Sequence, residues 1–384
     1  MSAVQMIEHH QNLRLDEIEK NKEGLRVIWL GENVNDSLEI QIKLLELNPA
    51  ALFYTEVNRC IDLMKTIKDE HVLLILWESF VPTILPQIHE LRSIGGIFIF
   101  CNQREPYALF KDKYEKIIEI YVDQDSLLGS LRETINLAEK RIIVFSLFDQ
   151  KQKSSRDLSK ESAAFLWHQM LLYVLKQMPH DEQAKQDMLN KCEDYYRFNK
   201  DELRKIDEFR KTYHHERAIE WYTDQCFLYK LLNQALRTED IELLYSFRFF
   251  IIDLCSDIES MRLSNETIFK VYRGQTIPVE EFEKLKTNIG TIISTNGFLS
   301  TSQERDIAVE FAQQGNTSND RRSVLLEIEV DLSMKSVVCA DITDRSLMGY
   351  TKDRRISLKC STTRHRLFSN HLFRSSSPQS IRSN

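Results

Sequence analysis

Five short apolar runs, Leu25–Leu30 (LRVIWL), Ala51–Tyr54, His71–Trp77, Gly96–Cys101 and Ile117–Val122, are separated by stretches in which apolar residues recur at helical spacing. An unbroken apolar run of strand length suits a strand covered on both faces, and strands alternating with helices build a parallel sheet. Residues 24–141 are therefore expected to form a doubly wound α/β domain, a parallel sheet with helices on both faces. Residues 1–23 are polar, helical in tendency and read as a loosely held leader. A last apolar run, IIVFSLF, opens residues 142–159, which then turn polar and read as a linker. From Lys160 to Arg262 the apolar period is helical, broken at Pro179 and near Asn199, so about four helices are expected. Phe165, Trp167, Tyr173, Trp221, Tyr222, Phe227 and Tyr229 read as core of that helical stretch, and His214 and His215 as a polar turn.

Beyond Arg262 the period changes. Ile268–Tyr272 alternates apolar and polar residues and meets Arg273 and Gly274. Thr291–Leu299 forms a second strand-like piece ending in Ser300, Thr301 and Ser302. Gln303–Gln313 reads as an amphipathic helix with Ser302 as its N-cap. Ser323–Val330 (SVLLEIEV) is a further strand. Residues 160–349 thus read as a helical lead-in followed by a mixed β core, an α+β arrangement.

Two of these strand ends carry unusual polar groups. Arg273 presents five donors in a planar fork that suits phosphate oxygens, and Gly274 beside it lets backbone approach a ligand. Three successive hydroxyls at Ser300–Ser302 add hydrogen-bond partners. A ligand with phosphate, ribose and a flat amide would fit such a set. On spacing alone, a Tyr-Arg-Gly is more often a strand end with a surface ion pair, and a Ser-Thr-Ser more often a cap.

Val271–Gly274 followed by Gly297–Ser302 resembles the arginine-specific mono-ADP-ribosyltransferases of the R-S-E class, in which an Arg-Gly closes the first core strand and a Phe-x-Ser-Thr-Ser the next. Ala218–Leu236 and Asp240–Leu254 are similar to that family's N-terminal helices, so the resemblance covers Leu158–Asp344. It implies NAD as substrate and a protein arginine as acceptor. Arg273 would hold the phosphates and the nicotinamide-side ribose, Gly274 would offer backbone to the carboxamide, and Ser300 would brace the site. Tyr272 or Phe298 would flank the nicotinamide ring, with Thr301 and Ser302 completing the cofactor-binding set. No metal is implied.

The family's third element, a Glu-x-Glu before a late strand, is missing at its place. Glu327 and Glu329 match it literally but lie on the strand that precedes the catalytic motif in the family, with both carboxylates on one face. They are low-ranking substitutes. After Asp344 the chain reads DRSLMGY and enters a tail, residues 350–384, with eight Lys or Arg, one acid and eight serines. This shift coincides with the missing motif, which points to an altered reading frame ahead of a genuine basic, disordered tail. The resulting expectation is a NAD-dependent arginine ADP-ribosyltransferase with little or no activity in this chain. A NAD-binding pseudoenzyme and a NAD glycohydrolase are the alternatives.

The whole-chain figures add limits. At 384 residues the chain is long enough for two cores, and a net charge of −7 argues against a nucleic-acid partner. No segment approaches the roughly 18 apolar residues of a membrane span, and residues 1–21 are too polar for a secretory segment, so the expected location is cytoplasmic. The seven cysteines form no C-x-x-C pair, and His9 and His10 lack spaced partners, so neither a disulfide frame nor a metal site is expected. In the α/β domain the residues beyond the strand ends are Gly31, Glu32 and Asn33, then Thr55 and Glu56, then Glu78 and Ser79. None forms a glycine-rich phosphate loop. The outline is similar to a receiver or TIR domain, without the receiver's phospho-acceptor Asp. Glu78 reads as a satisfied or solvated carboxylate, and the domain as a sensor or as a docking module for a protein partner.

Overall fold

The computed structural model describes residues 3–18, 21–32, 38–67, 70–139, 145–148, 170–171, 173–263, 268–287, 292–295, 298–313, 321–332, 338–347, 355–358 and 365–366. They divide into two compact units, Met1–Lys140 with Cys192–Asp207, and Arg141–Lys191 with Glu208–Asn384.

In the first unit, β1 (Leu25–Leu30), β2 (Leu52–Tyr54), β3 (His71–Trp77), β4 (Ile94–Phe100) and β5 (Ile117–Tyr121) form a wholly parallel sheet in the order β2-β1-β3-β4-β5. Every residue of β1 is buried, which is why its sequence is a run and not an alternation. Val27, Trp29, Phe53, Leu73, Ile75 and Phe98 pack on one face with α2 (Leu38–Leu47) and α6 (Gln124–Glu139). Ile28, Leu52, Leu74, Leu76, Ile97 and Ile99 pack on the other with α3 (Val57–Thr66), α4 (Val81–Ile88) and, through Phe110, α5 (Ala108–Lys113). Such order reversal between β1 and β3 is the doubly wound arrangement in which ligands sit beyond the strands' carboxyl ends.

The leader is not loosely held. In α1 (Ala3–His9), Met6 and Ile7 are 4% and 1% exposed within the sheet's core. The chain then pairs in parallel with β2, with the Asn12 N–H donating to Phe53 O and the Phe53 N–H to His10 O. This covers a sheet edge that would otherwise offer free backbone groups. Below β1, Arg26 is 2% exposed and makes a two-pronged ion pair with Glu70, at 2.6 and 3.1 Å. Glu23, also buried, accepts from Asn48 Nδ2 at 3.0 Å and from Tyr196 Oη at 2.6 Å. Tyr196 belongs to the turn between α7 (Glu182–Tyr195) and α8 (Lys200–Thr212), which lies with the adjoining helix ends in Cys192–Asp207. Helical periodicity assigns this turn to the second domain, yet it packs with the first unit, because a buried carboxylate there needs its hydroxyl.

The second unit combines helices with two antiparallel sheets. Its helices include α9 (Ala218–Thr223), α10 (Phe227–Thr238), α11 (Ile241–Ser246) and α12 (Arg248–Ser260). Trp221, Phe227 and Phe250 pack edge-on against Phe209. Tyr173, in contrast, is 68% exposed and not core, while Phe165 and Trp167 lie outside the described residues. The larger sheet has the order β10-β7-β9-β12-β11, from β7 (Ile268–Pro278), β9 (Leu299–Ser302), β10 (Arg321–Asp331), β11 (Cys339–Asp341) and β12 (Arg355–Leu358). The smaller has the order β13-β8-β6, from β6 (Phe145–Phe148), β8 (Ile292–Thr295) and β13 (His365–Arg366). Helices α13 (Val279–Thr287) and α14 (Arg305–Gln313) complete the unit.

Three sequence expectations change here. The linker over 142–159 contains strand β6, paired antiparallel with β8. Thr291–Leu299 is not one strand: β8 and β9 belong to different sheets. The tail over 350–384 supplies β12, which lies between β9 and β11, and β13, so these pieces are ordered strands; the rest of the tail lies outside the described residues. A four-residue strand in a serine-rich basic stretch has too few apolar positions to announce itself, and its pairing with β9 is made by backbone.

Candidate functional site

The two motifs that carry the resemblance meet in the second unit. Arg273 sits in the middle of β7, not at its end, because the strand continues through Gly274 to Pro278. Antiparallel pairing sets Arg273 opposite Leu326 of β10, while Tyr272 pairs with Ser302 of β9. Strand alternation then gives two faces: Val271, Arg273, Gln275 and Ile277 on one, Tyr272, Gly274 and Thr276 on the other.

On the first face the Arg273 guanidinium donates from Nη1 to the carbonyl oxygen of Ser300 at 2.6 Å. Desolvation draws its pKa below the ordinary guanidinium value, while the nearby hydroxyls of Tyr229 and Tyr222 act in the opposite direction. A guanidinium stays charged across such a shift. Tyr222 (5% exposed) donates from Oη to Asn233 Oδ1 at 2.9 Å, and its ring meets that of Phe298 edge-on, 5.4 Å between centroids. Tyr222 and Tyr229 are themselves in ring contact at 5.4 Å. Arg273 is thus a half-buried cation beside aromatic rings contributed by α9 and α10, with Phe298 at the entry to β9. A planar, anionic ligand is what such a lining accommodates.

The Ser-Thr-Ser group divides by alternation. Ser300 and Ser302 share the Tyr272 face and Thr301 takes the Arg273 face. Ser300 therefore reaches Arg273 through its main chain and not its hydroxyl. Ser302 Oγ accepts from Glu304 N at 3.0 Å just before α14 begins at Arg305, a turn-type cap at the helix start. Thr301 and Ser302 are buried, at 5% and 7% exposure.

Gly274 has a packing role that its sequence context does not disclose. A Cβ at that position would lie 1.6 Å from Ala308 O and 2.7 Å from Ala312 N, both backbone atoms of α14. The missing side chain is occupied by a helix, so the close approach predicted for a ligand is made by this chain itself.

Glu327 and Glu329 fall on the face opposite Arg273, since Glu327 pairs with Tyr272 and Glu329 with Lys270. Glu327 is joined to Lys270 Nζ at 2.5 Å, and both carboxylates help to raise the Lys270 pKa, Glu327 foremost. Gly297 and the region where a Glu-x-Glu would fall after Asp344 lie largely outside the described residues.

No protein-family model, curated protein or solved structure matches this chain.

In the first unit, both oxygens of Glu78 are engaged by Asn102, Oε1 from Nδ2 at 2.7 Å and Oε2 from the backbone N–H at 3.0 Å. Trp29, Trp77 and Phe100 form an aromatic group at this end of the sheet, with centroids 6.0 and 5.4 Å apart. Gly31 leaves room for the Trp29 indole, whose Nε1 lies 2.3 Å from where a Cβ would be. Among the described residues Cys60, Cys101, Cys192, Cys226, Cys255 and Cys339 are buried and form no disulfide. Among the described residues no group of three or more potential metal ligands gathers, and no helix is long and apolar enough to cross a membrane.

Tyr222 and Tyr229, which read as core in the sequence, lie near Arg273. Their helical spacing signals only burial. Their nearness to Arg273 comes from contacts more than forty positions apart in sequence, which no local pattern carries.

Proposed function

We propose that the second unit is an α+β ADP-ribosyltransferase domain of the R-S-E type that binds NAD through Arg273, preceded by an α/β docking domain for a protein partner. One observation carries the reading: the Arg273 guanidinium bonded to the Ser300 carbonyl, which joins the two motifs of the sequence resemblance in one half-buried, tyrosine-lined place. In the chemistry this implies, the bond between nicotinamide and ribose breaks with its electron pair leaving on nicotinamide. The cationic ribose is then captured by an arginine nitrogen of the acceptor protein, which passes a proton to a carboxylate. Arg273 would hold the phosphates, with Phe298 beside the ring. Tyr272 is less suited, because it lies on the other face.

The carboxylate is the weak point. A guanidinium of pKa above about 12 is a poor nucleophile without one, and removing one positioned electrostatic group costs on the order of 10² to 10³ in rate. Glu327 and Glu329 face away from Arg273. The chain is therefore expected to bind NAD and to transfer ADP-ribose to arginine weakly or not at all, which favours the NAD-binding pseudoenzyme over the glycohydrolase as the second reading. Calorimetry with NAD on the purified chain tests the first part: saturable binding that Arg273→Ala removes is expected, and equal binding by that variant refutes it. NAD consumption with and without agmatine tests the second, and agmatine-dependent turnover would show that another carboxylate serves the site.

A further inference from the structure

Gln275 follows the Arg-Gly pair on β7 and shares the face of Arg273. Its side chain has no solvent exposure, and neither Nε2 nor Oε1 has a hydrogen-bond partner. It stands opposite Val324, on a face where Ile277, Val324 and Leu326 belong to one apolar cluster. A strand serving packing alone would carry an aliphatic residue here, since an unpartnered buried amide is unfavourable at both of its polar atoms. The position makes sense when a ligand supplies both bonds.

We infer that Gln275 recognises the carboxamide of nicotinamide at the Arg273 site, accepting from the ligand N–H through Oε1 and donating from Nε2 to the ligand carbonyl. This rests on the NAD reading above and deepens it by naming the residue that reads the ring substituent. A primary carboxamide is the complement of a glutamine amide: both are flat, with one donor and one acceptor side by side. Arg273, two positions away, lies about 6–7 Å along the strand. A phosphate-binding cation and a carboxamide reader on one strand face would together fix both ends of the nicotinamide nucleotide half. Adenine presents a similar donor and acceptor edge, and the ligands chosen below separate the two. Because Gln275 is fully enclosed, entry of the ring must displace the side chains over it, and association slower than about 10⁵ M⁻¹s⁻¹ is expected.

The test is equilibrium binding of NAD, nicotinic acid adenine dinucleotide and ADP-ribose to the full chain and to its Gln275→Met variant. The acid analogue lacks the N–H donor, and ADP-ribose lacks the ring altogether. The wild-type chain is expected to prefer NAD over the acid analogue by about 10- to 100-fold, the worth of one or two satisfied hydrogen bonds. Gln275→Met should erase that preference and leave ADP-ribose affinity unchanged. Methionine fits an apolar surround, so the variant should melt at or above the wild-type temperature; Gln275→Leu repeats the comparison if it does not. An unchanged preference in a folded variant overturns the inference and leaves the amide to an enclosed water. An equal loss of ADP-ribose affinity overturns it in favour of adenine. If the wild-type chain binds neither NAD nor ADP-ribose, the NAD reading fails and this inference falls with it.

Discussion

Gly274→Ala separates two explanations of one residue. If glycine is needed so that a ligand can approach, the variant folds normally and loses only binding. If it is needed because α14 lies against β7, the variant loses stability with no ligand present. The added methyl carbon would stand 1.6 Å from Ala308 O, whereas an ordinary carbon–oxygen contact is about 3.3 Å, so α14 must retreat by about 1.7 Å. The obstacle is backbone, which cannot rotate aside as a side chain can. Overpacking of this kind costs about 1–3 kcal/mol, and the rigid neighbour places the change near 3 kcal/mol. For a unit of this size that lowers the melting temperature by about 6–12 °C. Thermal unfolding followed by circular dichroism, with the ligand omitted, measures it. A variant melting within about 2 °C of wild type, less than 1 kcal/mol at this size, would refute the packing explanation.

Three further outcomes follow from the same geometry. Ser300→Ala should leave Arg273 in place and NAD affinity within about twofold, because the bond comes from the main chain; a loss as large as that of Arg273→Ala, read by calorimetry, would mean that the hydroxyl matters. Arg345→Ala removes the partner of Asp257, a 6% exposed carboxylate held at 2.6 Å, and should cost roughly 2 kcal/mol at neutral pH, discounted because the arginine is one-third exposed. Burial holds the Asp257 pKa above the usual carboxylate value, so protonation favours the fold and the cost should shrink as pH falls through that raised value; a constant difference in denaturant titrations from pH 7 to pH 4 would contradict this. Tyr222, by desolvation, and Tyr213, by desolvation and then Asp253, have pKa values raised far above normal. The stability they contribute is whole below about pH 10 and falls as pH rises beyond it, so tyrosine ionisation near 295 nm should appear for them only with unfolding, and Tyr222→Phe should lessen the alkaline loss.

The parallel sheet is legible in the sequence because each strand is buried on both faces and shows as a run. The leader is not, since among its described apolar residues only Met6 and Ile7 are buried, Leu13 and Ile18 merely lean on the core, and its pairing with β2 is made by backbone groups. The Arg273 and Ser300 meeting is legible through motif resemblance, while the direction of Ser300 is not, because one residue of register decides which atom faces the arginine. Gln275 goes unnoticed for a similar reason. A glutamine two positions past an arginine looks like an exposed polar residue until pairing with Val324 places it on the apolar face. Glu327 and Glu329 match a motif by letter, and the same register turns them away.

The first unit closes with a segment synthesised well after its sheet. Tyr196, which supplies the hydroxyl for buried Glu23, leaves the ribosome after the whole of Met1–Lys140. At about 5–20 residues per second, the interval between residues 140 and 207 is roughly 3–13 s, during which all five strands have been made but Glu23 lacks that donor. A fragment cut at residue 140 would freeze this state permanently. Expression of that fragment alone should give a less soluble, more readily proteolysed product, and adding residues 192–207 back as a fused segment should restore it.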